Sequence, residues 1–281
     1  MKNQLLLFFV IIFCGFHSNI NSQKKIEKSK EALTESSGVR NNSSSTSSSR
    51  SSSSSSSSSD NLFVEVIIEG FIYITYGTFK YGLIGNYNNE EHLHNKLSPY
   101  PFKEDSYGNF NSNDSLYKNR MRLDLENSFV YNSKNLFGNH LKAKIRPFQY
   151  FYLQTDFHQL YEFDRINDKS YKLSIFQFNL CYDRIRFNRF NLGWSLGATY
   201  IGNEVKKAGF AYGLNADYFL SRRISFTGTA KWSSINTHPV NSFELQSKLH
   251  KKNYYFSLGF EHLKIAEPTY NFVTLGAGIY F

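Results

Sequence analysis

FAYGLNADYFLSRRISFTGTAKWSS, residues 210–234, decides the fold. Phe210, Tyr212, Leu214, Ala216, Tyr218 and Leu220 form an apolar series opposite Gly213, Asn215 and Asp217. Ser221 and Arg222 make a tight reversal. Ile224, Phe226, Gly228, Ala230 and Trp232 then continue, opposite Arg223, Ser225, Thr227, Thr229, Lys231 and Ser233. A period of two is the period of a strand, whose successive Cβ atoms point to opposite faces. Two such runs joined by a tight reversal make a hairpin with one apolar and one polar side.

A soluble sandwich alternates in the same way, so the discriminating feature is where the aromatic residues sit along each run. Phe190 and Tyr200, Phe210 and Tyr218, and Phe226 and Trp232 stand at the ends of their apolar faces, with Leu, Ala or Gly between them. Interfacial girdles demand that arrangement, and a sandwich core does not. Working outward, the same pattern marks ten segments: 120–131, 139–146, 149–162, 172–182, 190–201, 208–220, 223–235, 241–250, 254–264 and 272–281. The chain is therefore read as all-β, a transmembrane up-and-down antiparallel β-barrel of about ten strands with both termini on one side. The phase is least regular at Pro147 and near Ile175. If Leu62 to Gly85 adds a hairpin, the count becomes twelve.

Around the barrel the 281 residues divide into four parts. Residues 1–22 carry Lys2, an apolar run from Leu5 to Phe16 and a polar exit, which predicts a cleaved secretory signal peptide. Residues 23–60 read as a disordered linker: 17 of the 24 residues from Ser36 to Ser59 are serine, and the short helical potential of Lys24 to Lys30 has no evident partner. Residues 61–119 hold a short apolar element, Leu62 to Gly85, followed by an irregular Asn-, Tyr- and Pro-rich connection. As a helix the apolar element would gather Glu65, Glu69, Tyr73, Tyr76 and Lys80 on one stripe, and as a hairpin Gly70, Gly77 and Gly82 would turn it. Residues 120–281 are the barrel.

Composition excludes several classes. Outside the first 22 residues only the apolar element is long enough to suggest a spanning helix, so a polytopic helical membrane protein is ruled out. The net charge of +9 becomes +8 without Lys2. The basic residues form no long run and accompany no nucleic-acid-binding motif, so an anionic membrane surface is the expected counterpart rather than nucleic acid. With Cys14 in the signal peptide, Cys181 is left without a disulfide partner. His92 and His94 lack further ligands at zinc spacing and read as solvated loop residues. No cofactor is expected, and no catalytic, cofactor-binding or metal-ligating residue is assigned.

From Ser51 to Phe281 the chain resembles uncharacterised outer-membrane β-barrel proteins of Bacteroidetes, through its Ser tract, YGLIGNY (81–87), HLHNKLSPYPF (92–102), YFLSRRISF (218–226) and GAGIYF (276–281). The resemblance implies a location in the cell outer membrane, with outer-membrane lipids, lipopolysaccharide and the barrel assembly machinery as partners. It carries no activity. The expected role is non-catalytic: structural, binding or narrow-channel.

On the assigned phases Arg122, Lys142, Lys144, Arg146, Arg223, Lys231 and Lys248 point inward with Asp124, Glu126, Asp156, Glu162, Asp217, Glu244 and Glu261. Balanced signs predict mutual ion pairing rather than an ion-selective ring. The alternative function is a lipid-modifying hydrolase. FEHLKIAEPTYN (260–271) resembles the C-terminal end of lipid A deacylases, in which a His, a nearby Ser and an acid act on an acyl ester. His262 matches the His, but the Ser position two residues on is Lys264.

The terminal run Val273, Leu275, Ala277, Ile279 and Phe281 ends its apolar face on an aromatic, and that ending resembles the signal read by the outer-membrane assembly machinery. Phe281→Asp removes the aromatic and places a charge at the edge of that face. Membrane-inserted protein is expected to fall several-fold, measured as heat-modifiable mobility and steady-state abundance in a membrane fraction. Unchanged values would refute the assignment.

Overall fold

The computed structural model describes residues 24–34, 78–103, 106–112, 121–221 and 223–281. The signal peptide, the serine tract and most of the apolar element lie outside the described residues. The barrel strands are β3 (Arg122–Ser133), β4 (Leu136–Arg146), β5 (Phe151–Asp164), β6 (Lys169–Arg186), β7 (Phe190–Ile201), β8 (Lys207–Ser221), β9 (Ile224–Ile235), β10 (His238–Lys251), β11 (Tyr254–Ile265) and β12 (Thr269–Tyr280). Each pairs antiparallel with its chain neighbours, and β12 closes on β3 from Val273↔Tyr131 to Tyr280↔Asp124. All ten expected segments are strands, and ten close the barrel; residues 62–77 of the possible extra hairpin lie outside the described residues.

The wall follows the alternation. Leu141, Leu180, Leu196, Leu214, Leu245, Leu258 and Leu275 are exposed at mid-height. Aromatic contacts gather toward the rims. Phe129–Phe137 (6.1 Å), Phe137–Phe163 (5.7 Å) and Tyr212–Trp232 (5.6 Å) lie toward the rim distal to the barrel termini. Phe151–Tyr182 (4.6 Å) and Tyr182–Trp194 (5.6 Å) lie toward the terminal rim. An exposed leucine belt between aromatic girdles is the surface a bilayer solvates.

The two irregular places have physical causes. Near Ile175 the inward positions are apolar because they face a helix. Lys25–Thr34 forms α1, which docks in the distal rim with Ile26, Ser29 and Leu33 fully buried on one face. These three pack with Val130, Leu160, Leu173, Ile175, Ile201 and Ile265 in one cluster or hydrogen-bond beside it. Glu162 caps the helix N-terminus from β5, accepting the N–H of Lys25 at 3.1 Å and of Ile26 at 2.7 Å. Asn236 donates to the Leu33 carbonyl at the other end (2.5 Å), and Lys30 pairs with Glu204. The linker reading of residues 23–60 is thus corrected at its start: Lys24 to Lys30 had no partner in sequence because its partner is the barrel interior. At Pro147 the chain turns, residues 147–150 lying between the end of β4 at Arg146 and the start of β5 at Phe151, and a bulge between Asp183 and Ile185 carries the end of β6 on to Arg186.

Thr78–Ile84, the end of the apolar element, is a single π-helical turn rather than a strand. The connection after it is irregular as expected, apart from a 3-10 turn at Glu91–His94 and a two-stranded ladder of β1 (Lys96–Leu97) and β2 (Phe110–Asn111). It covers the terminal rim. Among the described residues no helix is long and apolar enough to cross a membrane.

Leu33→Ala should weaken the docking of α1 by about 2–5 kcal/mol, the usual cost of emptying a buried leucine site. Limited proteolysis should then trim the N-terminal segment at enzyme levels that leave the parent chain intact, while the barrel keeps its heat-modifiable mobility. Equal trimming of both proteins would show that α1 is not anchored in the rim.

Candidate functional site: the barrel lumen

Ten strands enclose a lumen only slightly wider than the eight-strand size that side chains fill, and here the filling is polar. Glu126 is its busiest acceptor. One carboxylate oxygen takes Lys248 Nζ and the Tyr255 hydroxyl, each at 2.7 Å, and the other takes Gln246 Nε2 at 2.7 Å and Ser257 Oγ at 3.3 Å. Gly278 makes room for this hub, because a side chain there would run into the Tyr255 ring. Lys142 reaches Glu244 at 2.7 Å, and Lys231 reaches Asp156 at 2.5 Å and Gln177 at 3.0 Å.

The strand register explains a second group. His140 and His158 stand directly opposite each other on β4 and β5, with ring centroids 3.6 Å apart. Glu244 and Glu261 stand directly opposite each other on β10 and β11. The two pairs meet across the lumen: His158 Nε2 lies 2.6 Å from Glu261, and His140 lies 3.3 Å from Asp156 and 3.5 Å from Glu261. Sequence reasoning counted the carboxylates as inward but passed over both histidines. Alternation places them inward with Lys142 and Asp156, so the signal was present.

Toward the terminal rim, Arg122 binds Asp124 through two nitrogens (2.7 and 2.8 Å) and also holds the Ser98 carbonyl (2.9 Å) and Asn109 (3.1 Å) of the rim cover. Arg146 pairs with Asp183 at 2.6 Å. Arg186, fully buried, donates to the Leu93 carbonyl at 2.6 Å and stacks over Tyr150 at 3.4 Å. A cavity of about 30 Å³ remains beneath the cover, room for roughly one water. Arg223 is the one inward assignment that fails. It lies in the β8–β9 turn and is exposed, while β6 runs past its expected end, so that Asp183 enters the lumen in phase and Arg186 enters after the bulge. Lys144 and Asp217 are half-buried, and the remaining assigned charges are buried.

Outside the wall, Glu90 of the cover accepts Arg184 at 2.8 and 3.0 Å, which holds its carboxyl below the usual range. His92 packs on Phe187 (4.5 Å), and burial lowers its pKa. It is half-buried rather than solvated, whereas His94 is exposed.

His262 faces outward, and its Nδ1 lies 2.6 Å from the side-chain oxygen of Asn271. Ser257 faces the lumen and is bound to Glu126, and Thr269 stands opposite Lys264 rather than His262. Among the described residues the site offers His262 an amide partner and no arranged hydroxyl nucleophile, so the geometry does not support the hydrolase alternative.

No family model matches the chain, and no curated protein matches it. Among solved structures it is similar to a KdgM porin (8% identity, 57% of this chain and 99% of that one, TM-score 0.35). It is similar also to Yersinia pestis outer membrane protein Ail (12%, 58% and 100%, TM-score 0.33) and to the N-terminal β-barrel domain of Pseudomonas aeruginosa OprF (11%, 58% and 100%, TM-score 0.30).

Glu126→Ala leaves Lys248 and Tyr255 buried without their acceptor, and should destabilise the folded barrel by about 3–5 kcal/mol. Urea unfolding in detergent micelles measures this. Glu126→Leu combined with Lys248→Met should recover part of the loss, because a buried ion pair exchanged for apolar groups is often neutral. No difference between the single and double variants would mean that the pair is not the cause.

Proposed function

We propose that this chain is an integral outer-membrane β-barrel with a closed lumen, serving a structural or binding role rather than conducting or catalysing. The observation that carries the reading is the closed wall: a leucine belt exposed at mid-height between two aromatic girdles, around an interior of paired charges. Lipid is the solvent such a wall requires, and a closed antiparallel barrel is one of only two backbone arrangements that lipid tolerates. The filling supports the absence of conduction. Ion pairs bridge the middle of the lumen, α1 occupies the distal rim, and residues of the irregular connection cover the terminal rim.

Partners follow from the same surface. Outer-membrane lipids and lipopolysaccharide solvate the belt, and exposed Arg223, Lys251 and Lys252 at the terminal rim suit anionic headgroups. The barrel assembly machinery inserts the chain after export by a cleaved signal peptide. The sequence motifs noted above support a place among the Bacteroidetes barrels.

Carbonate or urea washing should leave the protein in the membrane pellet, with release only by detergent. In planar bilayers the purified protein should give no large, steady, ion-selective conductance. Release without detergent would refute the membrane barrel, and a stable porin-scale conductance would refute the closed lumen.

A further inference from the structure

Among the described carboxylates at the middle of the filled lumen, one has neither a lysine nor an arginine as its ion-pair partner. At mid-height Glu126 has Lys248, Asp156 has Lys231 and Glu244 has Lys142. Glu261 is 1% exposed, and among the described residues its charged-group contacts are the rings of His140 and His158. Its cross-strand neighbour is a second carboxylate, Glu244. Like charges directly opposite on a sheet repel, and a buried carboxylate is costly without a compensating positive charge. Three buried atoms here also lack a hydrogen-bond partner among the described residues: Nδ1 of His158, one oxygen of Glu261 and one of Glu244. The two unpartnered carboxylate oxygens lie 3.5 and 3.9 Å from His140 Nδ1, close to the spacing of ligand atoms around a shared ion.

The donors define the partner. His140, His158 and Glu261 each bring a ligand atom to within 4.8 Å of the others, and Glu244 lies 3.9 Å from His140 Nδ1. Around a tetrahedral ion with bonds of about 2.0–2.2 Å, ligand atoms sit roughly 3.3–3.5 Å apart, so small side-chain rotations close the gap. Two imidazole nitrogens with carboxylate oxygen suit zinc among the divalent ions, whereas magnesium and calcium prefer all-oxygen sites.

We propose that His140, His158 and Glu261, with Glu244 as fourth ligand, form a structural zinc-class site inside the lumen. The ion supplies the positive charge that Glu261 lacks and ties β4 and β5 to β10 and β11 across the barrel. With both rims covered, loading accompanies folding. This site stands independently of the proposed cellular role.

The full chain is refolded from urea into detergent micelles with one equivalent of ZnCl2, desalted, and measured for metal by mass spectrometry. About one zinc per folded barrel is expected, with a higher melting temperature than protein refolded in EDTA. His158→Ala should weaken retention by about 100-fold or more, since losing even a residue that merely orients a metal ligand costs about 10–100-fold. His94→Ala, altering an exposed histidine of the cover, should retain the ion. If His158→Ala does not fold, Co2+ in the parent protein is read instead: the visible bands of a tetrahedral N/O site are expected, and their absence overturns the proposal. Less than about a tenth of an ion per barrel would mean that a protonated imidazole balances Glu261. Retention lost with His94→Ala but unchanged by His158→Ala would mean adventitious surface binding. Either result overturns the site.

Discussion

Everything in this structure depends on the hydrogen-bonded seam between β12 and β3. A strand edge facing lipid carries backbone donors and acceptors that nothing else satisfies, each at a cost of several kcal/mol. Pairing from Val273↔Tyr131 to Tyr280↔Asp124 removes both edges at once. Closure then imposes the division that governs every other residue. Outward positions meet hydrocarbon, and inward positions enter a space too narrow for bulk water.

That second consequence explains the ion pairs. A long charged side chain pointing inward has little water to reach, so it must find a partner on another strand. Lys142 and Glu244, Lys231 and Asp156, and Arg146 and Asp183 come from strands that do not neighbour one another in the sheet. They tie the wall together across its interior, where backbone bonds run only around it. Such pairs contribute little net stability relative to a well-packed apolar filling. Their effect here is to fill the middle of the barrel with paired side chains.

The rims are handled differently because their chemistry differs. The distal rim is lined by Val, Leu and Ile, and a short amphipathic helix covers it, oriented by the Glu162 carboxylate at its N-terminus. Helix N-terminal N–H groups and the partial positive charge there make a carboxylate a favourable cap. The terminal rim is lined by arginines, and backbone carbonyls of an irregular segment cover it, as in the bonds from Arg122 to Ser98 and from Arg186 to Leu93. Each cover matches the lining beneath it.

The strand pattern, the apolar wall and the girdles were legible in the sequence because they follow from a period of two, which is a local property of the chain. All ten segments and nearly every inward charge could be placed that way, including Glu162 and Glu261. Failures came where a local rule met a distant contact. Arg223 fits the alternation, yet it sits in the turn, and β6 runs past its expected end to bring in Asp183 and, beyond a bulge, Arg186. Lys25–Thr34 is too short to persist as an isolated helix, since a helix of that length is marginal without tertiary packing. Its stability comes from a barrel end more than a hundred residues further along the chain. The meeting of His140 and His158 with Glu261 was likewise a matter for tertiary structure. Alternation assigns each residue to the inside, but only closure of the sheet decides which inside residues face one another across the lumen.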